Sequence, residues 1–275
     1  MFLASHGINA SYQTSGDGSL ADVLASAVFD LDATQSASYP GTGTTWANLV
    51  TAPADGSAQT DYDFFTGDGV TSTTYPTFNG TAGDPAAYWT VDGGDYFRLK
   101  SGVNPAFIAA MHKTTGGSDW TVVTTLRAVA GTTTQGIFAT NLANNFPGVR
   151  LQIGATELTV TAQRGDTANV NANPGVALSD ATNYLVIVSH SHSTNITRFW
   201  INTGTAVEVA QTYNTTTTDA NQALVIGATS ATPTSALNNT TRMYSFGFLN
   251  EYLDNTKAAA IIAALEARHG RDYTP

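Results

Sequence analysis

The side chains best suited to chemistry in this chain are carboxylates, imidazoles and loop tyrosines; cysteine is absent. That absence removes thiolate metal ligands, thiol nucleophiles and any disulfide framework. Cleaving a glycosidic bond takes two carboxyl groups about 5–5.5 Å apart for retention or about 6.5–9.5 Å for inversion. None of the four glutamates, Glu157, Glu208, Glu251 and Glu266, has an acid two residues away, so no strand presents an alternating pair built on Glu. Asp30/Asp32, Asp61/Asp63 and Asp92/Asp95 are short-spaced pairs near turns. They suit a hard cation such as calcium or, with a weaker requirement, the backbone N–H bonds that Asp accepts in turns. His190-Ser191-His192 would put two imidazoles on one side of a strand, half of a zinc site, with no third ligand readable.

Acyl-transfer and phosphate chemistry find less support. No Gly-x-Ser-x-Gly elbow occurs, and Gly41-Thr42-Gly43 and Gly67-Asp68-Gly69 lack the lysine and following helix of a phosphate cradle. The expectation is no catalytic residue, no metal and no cofactor. Six Asn-x-Ser/Thr sequons, from Asn9 to Asn239, are a number that so much Ser and Thr yields by composition. Saccharide binding would use aromatic ring faces with Asn and Asp hydrogen bonds from loops. Tyr39, Tyr75 and Tyr213 lie in loop-like stretches and are the ligand-binding candidates, whereas Trp89, Trp120 and Trp200 lie in strands and read as core.

Elements that could hold such loops are mostly strands. Short apolar or alternating runs punctuated by Gly, Asn, Asp and Pro begin near Ala27. The clearest are Ala87–Val91, Tyr96–Leu99, Trp120–Ala128, Gln135–Ala139, Val149–Ile153, Glu157–Gln163, Tyr184–His192, Thr197–Asn202, Ala223–Ile226 and Arg242–Leu249. Tyr184–Val188 is apolar on both faces, as a central strand covered on both sides should be. Thr194-Asn195 reads as the turn of a hairpin. The tail changes period: Ala258, Ile261, Ile262 and Leu265 recur at helical spacing over 254–270, with Asp254 or Asn255 as cap and Gly270 as stop.

The chain has 275 residues, a formal charge of −10 and 42% hydrophobic side chains, enough for a large core. Thr supplies about one residue in six, while Lys appears three times and Glu four. Such a surface favours extended structure over helix. Eleven basic residues against 21 acidic ones argue against nucleic acid or an anionic membrane as partner. Residues 1–7 lack a basic n-region and a sustained apolar run, so no signal peptide is expected there. The longest aliphatic stretch, Leu185–Val188, is far short of the roughly 18 residues of a membrane span.

Four segments, in order, resemble the concanavalin A-like, laminin-G-like jelly-roll superfamily. They are Phe29–Ala33 with Tyr39-Pro40-Gly41 and Thr45–Leu49, then Tyr88–Tyr96, then Trp120–Leu126, and finally Leu224–Ala228 with Met243–Asn250 and the helix. The likeness covers roughly residues 27–273. It implies an all-β antiparallel sandwich (jelly roll) with an N-terminal arm over 1–24 and a sandwich over 25–275 that includes a C-terminal helix. The superfamily's catalytic form carries Glu and Asp at alternating positions of one strand, and none of the four glutamates of this chain has such a partner. Single-copy domains of this kind are familiar in tailed-bacteriophage particles. The resemblance therefore implies a non-enzymatic virion component, of capsid-decoration or fibre type, made in the host cytoplasm and displayed on the particle. Its partners would be other virion proteins, met through the arm, and further copies of itself. The alternative reading is a glycan-binding module for host attachment, and a weaker one is a polysaccharide hydrolase.

Overall fold

The computed structural model describes residues 18–129, 133–142, 146–154, 158–163, 170–212, 217–231 and 235–274. Two antiparallel sheets pack on one another, their strands numbered in chain order. The first runs β14 (Val207–Ala210), β13 (Ile196–Ile201), β12 (Asn183–Ser191), β7 (Trp120–Arg127), β16 (Arg242–Leu249), β5 (Tyr88–Thr90) and β4 (Thr77–Asn79). Beside the C-terminal half of β16 lies β1 (Ala27–Asp32), end to end with β5. The second sheet runs β11 (Val170–Ala172), β10 (Leu158–Gln163), β9 (Gly148–Ile153), β8 (Gln135–Ala139), β15 (Val225–Ile226), β6 (Phe97–Leu99), β3 (Phe64–Thr66) and β2 (Thr45–Trp46). Two α-helices complete the described residues, the short α1 (Ala106–Ala110) and α2 (Asn255–His269). None of the described helices is long and apolar enough to cross a membrane.

Strand alternation fills the space between the sheets. Phe29, Phe246 and Phe248 from the first sheet meet Phe64 and Phe138 from the second at ring separations of 5.3–5.7 Å. Such offset and edge-on rings contribute about 0.5–1.5 kcal/mol per pair beyond their buried area. The opposite face of the first sheet is covered as well. Ala258, Ile261, Ile262 and Leu265 of α2 pack over Val123, Leu185, Ile187, Trp200 and Leu249. That explains why β12 is apolar on both faces. In β7 the helix-facing hydroxyls are satisfied sideways, Thr121 with Ser189 and the Glu251 carbonyl, Thr125 with Ser245.

The helix boundaries follow their caps. Asp254 Oδ1 accepts from the Lys257 amide at 2.9 Å, and Gly270 takes the left-handed conformation at φ +58° that ends the helix. Residues inside the expected arm belong to the packed domain. Ser19 caps a 3-10 turn over Leu20–Asp22, and Leu20 is buried against β16, where a Cβ on Gly247 would lie 2.7 Å from its Cδ1. Residues 18–24 therefore belong with the sandwich, and residues 1–17 of the expected arm lie outside the described residues.

A buried ionic network ties helix to sheet. Asp30 and Asp32, one strand pleat apart on β1, both accept from Arg268 Nη1, at 3.0 and 2.9 Å. Asp32 also accepts from His269 Nε2 at 3.0 Å and from the Thr34 amide and hydroxyl. His269 Nδ1 meets the Tyr273 hydroxyl at 2.9 Å, and the Leu20 amide donates to Asp30. Burial pushes the Asp32 carboxyl up, but His269 and Arg268 more than reverse this and hold it well below the usual carboxylate range. Desolvation wins at Asp30, which lies above its ordinary value in spite of Arg268. Breaking such a network costs about 3–5 kcal/mol because a charge is left buried without its partner. Asp32→Asn is therefore expected to lower the melting temperature at pH 7 by roughly 6–12 °C for a domain of this size. A depressed carboxylate contributes stability above its unfolded value of 3.8 and loses it as pH falls through the folded one. The gap between wild type and variant in thermal melts should thus hold from pH 7 to pH 5 and narrow only in stronger acid; a gap that widens in acid would contradict the assignment.

Candidate functional site

The three tyrosines expected at a ligand meet different fates. Tyr39 is buried: positive φ at Gly41 and Gly43 folds its loop back, its hydroxyl donates to the Gly43 carbonyl, and its ring lies 4.4 Å from Trp89 and 4.9 Å from Phe78. It is a core residue, and its placement on a binding loop is corrected. Tyr75 is half-buried at the end of a 3-10 turn over Ser72–Thr74. Tyr213 lies outside the described residues. Trp89, Trp120 and Trp200 are buried, together with Trp46.

The paired acids mostly serve local structure. Asp61 accepts from the Ala58 amide and Asp63 from the Asn48 amide. His190 is buried, bonded to Thr197 and stacked on Trp120, and burial pulls its imidazole down to about 3. His192 lies past the strand end, its amide donating to Asp119. Among the described residues no group of three or more His, Asp or Glu is arranged to hold a metal ion.

One end of the sandwich does gather exposed polar chemistry. Three loops distant in sequence meet there: 67–75, 92–95 and 237–241. The Gly67 amide donates to the Tyr96 carbonyl at 2.7 Å and the Tyr96 amide to the Thr74 carbonyl at 3.4 Å. A Cβ on Gly67 would sit 2.8 Å from Tyr75 Cδ1, so only glycine lets the tyrosine close down on this strand end. On the other side the Val91 amide donates to the Thr241 carbonyl and the Thr240 amide returns to Val91. Gly93, at φ +90°, turns beneath Asn239, with a Cβ position 4.0 Å from the Asn239 amide nitrogen.

Two aspartates define the rim of this surface. Asp92 is exposed and its carboxylate is preset by the Gly94 amide at 3.0 Å. Asp95 is buried behind it, accepting from the Asp92 amide at 3.1 Å. Burial, and then the neighbouring Asp92 carboxylate, push Asp95 up to about 7. The outcome is one hydrogen-bonding carboxylate at the surface and, beneath it, a carboxyl that is about half protonated at neutral pH. With Asn239, the Gly93-Gly94 turn and Tyr75, these groups can recognise hydroxyl-rich ligands. Asp30 and Asp32 are sealed by α2 and cannot reach a substrate, and Asp61 and Asp63 are tied to the Ala58 and Asn48 amides.

No protein-family model and no curated protein matches the chain. Solved structures do. The binding domain of botulinum neurotoxin DC, in complex with SialylT, superposes over 88% of this chain and 52% of its own with a TM-score of 0.57 and 10% identity. Botulinum neurotoxin type C, whose cell entry is described as dependent upon interaction with two ganglioside molecules, gives 90%, 53%, 0.58 and 10%. Trypanosoma rangeli sialidase gives 88%, 33%, 0.50 and 11%. The fold is a concanavalin A-like β-sandwich. The chain spans about half the length of the toxin domains and a third of the sialidase. The expected virus-particle component has no counterpart among these three.

A carboxyl raised in the folded state contributes stability below its unfolded value of 3.8, and that contribution is lost as pH rises through about 7. The side-chain carbon of Asp95 should titrate by NMR with a midpoint near 7, and amides of residues 92–95 should lose hydrogen-exchange protection above it. A midpoint near 4 would contradict the buried-pair geometry.

Proposed function

We propose that this domain is a carbohydrate-binding module, non-catalytic, that meets saccharide hydroxyls at the loop end formed by residues 67–75, 92–95 and 237–241. The observation that carries the reading is the exposed Asp92 carboxylate. It is held in place by the Gly94 amide, on a turn whose Gly93 lies beside Asn239, while Tyr75 belongs to the neighbouring loop that pairs with Tyr96. A fixed carboxylate can accept two hydroxyl hydrogen bonds, and an aromatic edge can cover a ring face. Support also comes from the sandwich shared with toxin domains whose descriptions name SialylT and gangliosides, a likeness of fold at 10% identity.

Hydrogen bonds to a charged group contribute about 1.5–3 kcal/mol, so removing the carboxylate should weaken binding by roughly 10- to 100-fold. The expected result is saccharide binding on a glycan array, confirmed by calorimetry, that falls by that factor in Asp92→Ala and falls also in Tyr75→Ala. The melting temperature of Asp92→Ala should stay within about 2 °C of wild type, since the side chain is exposed. Binding indifferent to both substitutions, or release of reducing ends from the bound polysaccharide, would overturn the reading.

A further inference from the structure

The outer face of the first sheet is covered by α2 over only part of its length. Beyond the helix C-terminus, strand register brings together residues that the sequence keeps far apart. Arg127 on β7 stands directly opposite Arg242 on β16, and the same row continues to Asn183 on β12 on one side and to Thr90 and Thr77 on the other. Like charges directly opposite one another on neighbouring strands are destabilising. The chain has only 11 basic residues against 21 acidic ones, so placing two of them in register is a feature that calls for a cause.

A third guanidinium completes the group. The tail after α2 turns back over β16, and Arg271 lies 3.9 Å above the Tyr244 ring. Arg242 lies 4.4 Å above Tyr88, and the two tyrosine rings meet edge to face at 5.9 Å. The result is a ladder, Arg242–Tyr88–Tyr244–Arg271, with Arg127 beside its first rung. Cation–π contact holds the guanidinium planes and offsets part of their mutual repulsion without neutralising them. Among the described residues no carboxylate lies within ion-pairing distance of Arg127, Arg242 or Arg271; the nearby Asp30 and Asp32 are taken by Arg268 and His269. Arg271 Nη1 is buried with no acceptor. All three arginines are half-exposed.

We propose that Arg127, Arg242 and Arg271 form an anion-binding site whose ligand is the carboxylate or sulfate group of an acidic saccharide. Planar guanidinium groups match such oxyanions two oxygens at a time. Thr90, Thr77, Asn79 and Asn183 supply neutral hydroxyl and amide groups in the same row and the next, suited to the sugar around the charge. A net charge of −10 repels extended polyanions while leaving a local three-arginine field able to hold an isolated anion. Arg242 directly follows Thr241, which bonds to Val91 at the loop end, so the site borders the surface assigned above to saccharide hydroxyls. That the anion belongs to a saccharide rests on the glycan-binding reading; capture of the anion does not.

The full chain can test both parts. Inorganic sulfate, titrated by NMR, should shift the side-chain Nε–H signals of these three arginines, and Arg242→Gln should abolish the response. In calorimetry, a hyaluronan or chondroitin sulfate tetrasaccharide should bind at least tenfold more tightly than its carboxyl-reduced or desulfated form. Arg127→Gln and Arg242→Gln should each remove that preference, while Arg242→Lys should keep part of it; the glutamines keep a polar side chain at half-exposed positions and relieve repulsion, so folding is preserved. Acidic saccharides bound no better than neutral ones, or sulfate shifts elsewhere on the surface, overturn the anion site. Sulfate shifts at the three arginines with no saccharide binding of any kind overturn the glycan-binding reading and the saccharide as ligand. Capture by phosphatidylserine vesicles in preference to acidic saccharides would likewise overturn it.

Discussion

Asp32 is the point on which three parts of the chain converge. Its carboxylate takes Arg268 and His269 from the last turn of α2, and its neighbour Asp30 takes Arg268 again together with the amide of Leu20. An apolar helix face packed on an apolar sheet tolerates sliding along its axis, because one methyl contact is much like the next. Two carboxylates fixed on successive outward positions of β1 tolerate none, since a shift of one turn strands buried charge. The network therefore fixes where α2 lies more than it adds to stability, and it sets how much of the sheet the helix leaves uncovered.

Much of this architecture is legible in residue order and the rest is not, for a physical reason. Strands long enough to show a period were readable: β7, β8, β12, β13 and β16 lie within a residue or so of their expected ends. The helix was readable from its caps as much as from its apolar spacing. Strands of two to four residues, such as β2, β4 and β14, carry no period of their own and exist because a neighbour pairs with them. Tyr39 shows the converse: a loop sequence says nothing about which way its aromatic ring turns, and here two left-handed glycines turn it inward.

The site was harder to read than the fold. Asp92 and Asp95 were visible as a close pair, and turn chemistry accounted for them. What separates their roles is burial: Asp95 lies beneath the loop and is raised to about 7, while Asp92 stays in solvent. Tyr75 and its loop close on this strand end because Gly67 has no Cβ, and the turn beside Asn239 is made by Gly93 at φ +90°. Nothing in the spacing of Arg127, Arg242 and Arg271 suggests a group. Antiparallel register aligns the first two, and a turn after Gly270 delivers the third.

These constraints are linked. The Asp32 network fixes where the last turn of α2 lies, and Gly270 ends the helix there, so the chain leaves it over the end of the sheet. Gly270 then reverses direction, and Tyr273 is drawn back to His269 by its hydroxyl. That return carries Arg271 across Tyr244. A lock of two carboxylates, an arginine and a histidine at one end of the helix thus determines the exposed surface next to it. It consumes the acids of β1 internally and leaves the arginines of β7, β16 and the tail facing solvent without counter-charge among the described residues. In a chain that is acidic as a whole, this separation of sign is produced by packing rather than by composition.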